Sequence, residues 1–187
     1  MALAYHIVFG AYGFWLPNDP RGSWTEFVAN WELLRFGSPK KHTSRQSTAH
    51  VPHDKSWHTR AKTVLKYPPA VFTGKQALEI GHGFAESIAE GPYVCLACAI
   101  MPEHVHIVLA RHARAPSRMA GHLKSAATRR LRAAGMWPAD RPVWGENCWK
   151  VFLDDEEDVA RAIVYTNHNP IREGKRPQRW SFVTPWS

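Results

Sequence analysis

The stretch YVCLACAIMPEHVHIVLA, which spans Tyr93–Ala110, decides the predicted fold of this chain. It consists of two apolar runs separated by Pro102 and Glu103, a dipeptide that predicts a turn. Two strands joined by so short a connection form a β-hairpin. Because both runs are almost continuously apolar, we expect two central strands in a sheet that helices cover on at least one face.

The rest of the chain supplies further strands and the helices that would cover the sheet. An alternating segment with Tyr5, Ile7 and Phe9 on one side predicts a first strand, and the segment from 142 to 154 holds a short one. Capping residues and helical periodicity predict three helices, over Thr73–Gly91, Ser117–Gly135 and Asp154–Pro170, with Pro170 ending the last. This order predicts an α+β fold, in which helices pack on an antiparallel β-sheet.

Length and composition indicate one domain. The chain has 187 residues, of which 44% are hydrophobic, and this is enough to build one core. We therefore interpret residues 1–187 as a single domain. The hydrophobic pattern breaks down over Trp24–Pro69, which we interpret as an insertion or long loop. Its histidines are expected to be solvated, because they lack the spacing of a zinc site; they are His42, His50, His53 and His58.

Charge and cysteine content narrow the class of protein. The formal net charge of +8 favours a nucleic acid partner, although a basic soluble enzyme has the same composition. Three cysteines do not make a disulfide framework. Cys95 and Cys98 are three positions apart in a predicted strand and are expected on opposite faces, which argues against a shared metal or redox site. The sequence shows no signal peptide and no apolar run of membrane-spanning length, so we expect a cytoplasmic, nucleoid-associated protein with no membrane partner.

The second strand of the hairpin carries two histidines, which are unusual in a buried strand because each imidazole needs a partner. Alternation places His104 and His106 on one face and Val105 on the other. Two imidazoles whose Cα atoms are about 7 Å apart can converge on one divalent cation. The alternative is a pair at a sheet surface that is bonded to water or backbone.

The third predicted helix offers groups that can complete such a site. Tyr165 and Asn169 are four residues apart and therefore share a helix face. An amide oxygen can bind a cation, and a tyrosine hydroxyl can act as a nucleophile. A phenol is protonated near neutral pH, but a cation that polarises a phosphate makes its attack feasible. Alternatively, Tyr165 is a core aromatic residue and Asn169 a helix C-cap.

These segments resemble a known family. MPEHVHIVL (Met101–Leu109) resembles the His-hydrophobic-His motif of the HUH single-strand DNA endonucleases, and most of all the single-tyrosine transposases of the smallest insertion sequences and their REP-associated relatives. YTNHNPIREG (Tyr165–Gly174) is similar to the tyrosine-to-Asn-Pro signature of the REP-associated branch. The segments AYGFWLPNDPRGSW, VFLDDEEDVARAIVY and RWSF also fit that branch. Thr166 departs from it, since relatives usually have an aliphatic residue there.

The resemblance implies a fold and an activity. The fold would be the ferredoxin/RRM-like sandwich of HUH endonucleases. His104, His106 and Asn169 would bind Mg²⁺ or Mn²⁺, and Tyr165 would attack a phosphate of single-stranded DNA near a hairpin. The product would be a covalent 5′-phosphotyrosine and a free 3′-OH, which strand transfer then rejoins without ATP. Relatives work as monomers or as homodimers, and we favour a monomer.

A single-strand nuclease needs a positive groove that holds the DNA backbone. The second predicted helix and the surroundings of the site supply candidate DNA-binding residues, which are Arg118, Lys124, Arg129, Arg130, Arg132, Lys150, Arg172 and Lys175. Trp15, Trp149 and Trp180 can stack on bases or belong to the core. Two other functions stay open: a domesticated hairpin-DNA-binding regulator that keeps the fold, and an unrelated basic metal hydrolase in which Tyr165 is structural.

Overall fold

The computed structural model describes residues 1–20, 22–23, 31–38, 52 and 54–186, and the following statements concern this part of the chain. It contains, in order, β1 (Ala4–Gly10), α1 (Trp31–Leu34), α2 (Lys55–Thr63), α3 (Gly74–Glu90), β2 (Cys95–Ile100), β3 (His104–Ala110), α4 (Pro116–Ala133), β4 (Trp149–Leu153) and α5 (Glu156–Arg172). None of the described helices is both long and apolar enough to cross a membrane.

The strands form one four-stranded sheet in the order β2-β3-β1-β4, with every neighbouring pair antiparallel. The predicted hairpin is β2-β3, and it occupies one edge and the adjacent central position. In the central pair, β1 runs beside β3 with Val8 opposite His106 and Gly10 opposite His104. The α+β class and the antiparallel sheet are thus confirmed.

Helices cover both faces of the sheet. Tyr5, Ile7 and Phe9 of β1 point to the larger core, which they share with apolar side chains of α3 and α4. The alternate residues point to a smaller core, in which Val159 and Ala162 of α5 pack on the sheet. The molecule therefore has three layers, and α5 alone covers the face that carries the even-numbered side chains of β1 and β3.

The ends of the helices follow local sequence signals, with one exception. A capping box between Thr73 and Gln76 begins α3, as predicted, and the Asp155 side chain caps α5. The prediction that Pro170 ends α5 is wrong, because the helix continues to Arg172. A proline in the last turn removes one helical hydrogen bond, and the Glu173 amide closes the helix by donating to the carbonyls of Asn169 and Pro170.

The expected separation of Cys95 and Cys98 is also wrong. Both thiols are buried in the larger core, whereas Leu96 and Ala97 between them both face the smaller one. The pairing of β2 with β3 shifts register between Cys95 and Ala97, and this β-bulge cancels one step of the alternation. Burial raises the pKa of both thiols, which keeps them protonated and unreactive.

Part of the segment from 24 to 69 is helical. Leu33 of α1 and Ala61 of α2 pack with Leu16 in a small separate core. The interpretation of His58 as a solvated loop residue is wrong, since it lies in α2 with its Nε2 3.5 Å from the buried carboxylate of Asp19. His42, His50 and His53 lie outside the described residues.

Candidate active site

The histidine pair lies on the sheet face that α5 covers. His104 and His106 point to this face with their ring centroids 4.9 Å apart, while Val105 between them is buried in the larger core. His106 is 6% exposed and His104 is more open. Strand alternation therefore predicted the arrangement of the pair correctly.

The tyrosine of α5 meets the pair. The Tyr165 ring centroid lies 5.5 Å from that of His106, and the residue is half-buried. The guanidinium of Arg172, two turns further along the helix, lies 5.7 Å from the centre of the tyrosine ring. A phenol, a pair of imidazoles and a guanidinium thus lie close together where α5 packs on the sheet.

Asn169 lies one turn beyond the tyrosine and is 8% exposed. Its amide nitrogen donates to the Tyr165 carbonyl at 3.2 Å, which leaves the amide oxygen as the atom able to bind a cation. No group of three or more His, Cys, Asp or Glu side chains with the arrangement of a metal site exists among the described residues.

Burial sets the charge state of the pair. It lowers the pKa of His104, and it lowers the pKa of His106 to well below the ordinary value, with help from the neighbouring histidines. Both rings are therefore neutral at pH 7, and a neutral imidazole is the form that binds a metal ion. Within the described part of the chain, His104 contacts the rings of Phe14 and His106, and no hydrogen bond occupies its nitrogens.

Aromatic packing holds His104 in place. Phe14 stacks on its ring with centroids 4.9 Å apart and planes inclined by 15°. Gly10, which is opposite His104 in the sheet, makes this contact possible, because a Cβ there would lie 2.9 Å from the phenylalanine ring. The contact connects the site to the loop that follows β1.

A third histidine belongs to the site, and sequence reasoning did not assign it a role. His6 of β1 is 6% exposed and forms a hydrogen bond with His106, with 3.1 Å between His6 Nε2 and His106 Nδ1. Its ring also lies 5.8 Å from the rings of Tyr165 and Trp149. Burial lowers the pKa of His6 to about 4, so it is neutral at pH 7. The sequence did contain a signal for His6. It is a polar residue on the face of β1 opposite to the apolar face formed by Tyr5, Ile7 and Phe9.

The predicted DNA-binding residues divide between the two sides of the sheet. Arg172 and Lys175 are exposed next to the site, where Lys175 pairs with Glu173 at 3.2 Å. The predicted residues of α4 lie on the other side of the sheet. The side chain of Lys150 in β4 points to that side as well, because Lys150 is paired with Ile7, which points to the larger core. The structure therefore brings Arg172 to the Tyr165 ring and Lys175 near His104, and it leaves the other six candidates on the far side of the sheet.

The α4 cations differ in their surroundings. Arg118, Arg129 and Arg132 are exposed. Arg130 binds Glu79 of α3 at 2.8 Å, and Lys124 donates to three loop carbonyls. Among the tryptophans, Trp180 packs against Gly81 and stacks on Phe182, as a core residue does.

The fold is similar to that of a solved structure. One solved structure, that of a REP-associated tyrosine transposase bound to a REP hairpin, has a TM-score of 0.50 at 12% identity, covering 92% of this chain and 69% of that one. Another, from a candidate transposase of Deinococcus radiodurans R1, has a TM-score of 0.43 at 14% identity, covering 94% and 92% of the two chains. At these identities the first likeness concerns the fold alone. No curated protein matches the sequence.

The family comparison is more specific. The profile of the family described as "Transposase IS200 like" matches residues 54–152, which include His104 and His106 but end before Tyr165. This segment is more than half of the 187-residue sequence. The chain therefore belongs to the IS200-like transposase family.

Proposed function

We propose that this transposase is a metal-dependent single-stranded DNA endonuclease and strand transferase with Tyr165 as its nucleophile. The observation that carries the proposal is the position of the Tyr165 ring. Its centroid lies 5.5 Å from that of His106, on the sheet face that α5 covers. A phenol beside two neutral imidazoles and an amide oxygen has the composition of a site for phosphoryl transfer. The alternative, in which Tyr165 is a core aromatic residue, is tested below with Tyr165→Phe.

We propose that His104, His106 and Asn169 hold Mg²⁺ or Mn²⁺. The nitrogens of His104 have no hydrogen-bond partner among the described residues, and the amide of Asn169 is oriented through its nitrogen by the Tyr165 carbonyl. Two imidazole nitrogens and one amide oxygen, all neutral, would be the ligands that this chain supplies to the ion. When bound, such a cation polarises the scissile phosphate and offsets its negative charge.

The chemical step transfers a phosphate between oxygens. The Tyr165 oxygen forms a bond to phosphorus while the bond from phosphorus to the 3′-oxygen of the preceding nucleotide breaks. The phenolic proton passes to water, and the released 3′-oxygen takes up a proton to become a 3′-OH. The DNA is then linked to the protein as a 5′-phosphotyrosine. The reverse step with another 3′-OH rejoins the strand, and the exchange of one phosphodiester for another needs no ATP.

The proposed substrate is single-stranded DNA with hairpin elements, consistent with the hairpin bound to the structurally similar REP-associated transposase. We propose that Arg172 and Lys175, which are exposed next to the site, contact the scissile region. We propose a monomer as the active unit. We propose that residues 1–187 form a single transposase domain with an insertion at 24–69. We also propose that the protein is cytoplasmic and associated with the nucleoid.

The test is a cleavage assay with labelled single-stranded hairpin DNA and Mn²⁺, analysed for an adduct that survives SDS. We expect an adduct with the wild-type protein, none with Tyr165→Phe, and an unchanged amount with Tyr67→Phe, a control at a half-buried tyrosine outside the site. An adduct that persists in Tyr165→Phe would overturn the nucleophile assignment. Hairpin binding without an adduct would instead indicate a regulator, and hydrolysis without an adduct would indicate a metal hydrolase.

A further inference from the structure

We infer that His6 is a positioning residue, which holds His106 in the orientation and tautomer that direct its Nε2 towards the cation. The inference rests on the metal-binding function proposed above and deepens it, because it adds a residue from β1 that the family profile does not cover.

The sheet register brings the two imidazoles together. In the central strand pair, His6 lies opposite Val108 and His106 lies opposite Val8, so the histidines are diagonal neighbours on one face. Their ring centroids are 5.3 Å apart with planes inclined by 25°, and the His6 Nε2 to His106 Nδ1 distance is 3.1 Å. Each side chain is 6% exposed, so water does not replace this contact easily.

The hydrogen bond determines which nitrogen of His106 can bind a cation. A neutral imidazole has one N–H donor and one acceptor nitrogen. Since Nδ1 of His106 is engaged with His6, Nε2 is the nitrogen left for the cation, and it must present a lone pair. The proton of His106 is then on Nδ1 and is donated to Nε2 of His6. His6 in turn carries its own proton on Nδ1.

The surroundings of His6 support a positioning role rather than direct binding. Its ring is enclosed by Trp149 on one side and Tyr165 on another, at 5.8 Å from each. Within the described residues, its hydrogen bond is the one to His106. The two proposed ligands are thus held in different ways, His104 by the stacked Phe14 ring and His106 by a hydrogen bond from the neighbouring strand.

The first test measures Mn²⁺ affinity by the electron paramagnetic resonance signal of free Mn²⁺. Partners of this kind typically contribute about 10- to 100-fold in metal affinity, so we expect a loss of that size in His6→Phe, which keeps a ring but removes the acceptor. His6→Gln, whose amide oxygen can accept the same hydrogen bond, should recover part of the loss. His168→Phe, an exposed position on α5, is the matched control and should bind as the wild type does.

The second test reads the tautomer directly, without metal or activity. In ¹⁵N NMR spectra of the wild-type protein, we expect His106 to carry its proton on Nδ1 and to present an unprotonated Nε2, and we expect this preference to weaken in His6→Phe. A His106 protonated on Nε2 in the wild type, or equal Mn²⁺ affinity of the wild type and His6→Phe, would overturn the role of His6 alone. A wild-type protein that binds no Mn²⁺ would overturn the metal site, and the inference with it.

Discussion

Replacing Lys124 by methionine should lower the stability of the protein without lowering its affinity for DNA. Lys124 was predicted from the sequence as a DNA ligand, but its Nζ donates to the carbonyl oxygens of Gly145, Glu146 and Asn147 at 2.8, 3.2 and 3.0 Å. It also lies 5.3 Å from the centre of the Phe9 ring, and burial lowers its pKa. These contacts fix the loop before β4 to α4.

The size of the effect follows from the loss of these bonds. A hydrogen bond to a charged group contributes about 1.5–3 kcal/mol to stability. Because the carbonyls of Glu146 and Asn147 can form hydrogen bonds with water instead, we expect the free energy of unfolding to fall by an amount in this range rather than by three times as much. For a chain of this length, that loss corresponds to a fall in Tm of roughly 3–12 °C. Methionine keeps most of the aliphatic stem, so the change isolates the amino group.

Circular dichroism melting and DNA binding by fluorescence anisotropy together test this reasoning. Arg129→Met, at an exposed position of the same helix, is the control and should change stability by about 0.5 kcal/mol or less. The reasoning would be refuted if Lys124→Met weakened hairpin binding while its Tm stayed at the wild-type value.

Three further predictions concern the layers around the site. Gly83→Ala should lower the free energy of unfolding, measured in urea, by about 1–3 kcal/mol, because its Cβ would lie 2.6 Å from the backbone of α4. The control Gly121→Ala, where a Cβ meets open space, should raise the free energy of unfolding by up to about 1 kcal/mol. Equal effects of the two substitutions would contradict the close packing of α3 on α4. Thr166→Val should stabilise by about 1–2 kcal/mol, because the threonine hydroxyl is buried without a hydrogen-bond partner among the described residues; a lower urea midpoint would show that the hydroxyl is bonded. At pH 8, a thiol reagent should modify Cys148 slowly and the two thiols of β2 only after unfolding, since burial raises the pKa of all three; rapid modification of three thiols in the native protein would contradict this.

Strand alternation predicted the site where the strand is regular and failed where it is not. His104 and His106 lie on one face because β3 continues without a bulge, whereas the bulge in β2 brings Cys95 and Cys98 to the same core. A bulge depends on the pairing of two strands, and the sequence of one strand does not reveal it.

The layer to which each helix belongs could not be predicted. The spacing of Tyr165 and Asn169 showed that they share a helix face, but the meeting with the histidines depends on α5 packing on that side of the sheet. The sequence also did not reveal that the cations of α4 lie in the layer on the other side of the sheet from Tyr165, and their contact with DNA stays a prediction. His6 was missed because its partner, His106, is 100 residues away in the sequence and becomes a neighbour only through sheet pairing.

The most direct test of the account is to identify the residue that becomes linked to DNA. After incubation with single-stranded hairpin DNA and Mn²⁺, nuclease and protease digestion followed by mass spectrometry should find a nucleotide phosphate on the peptide that contains Tyr165, attached to the tyrosine oxygen. DNA that is cut while Tyr165 stays unmodified, or a phosphate linked to a different residue, would contradict the central claim.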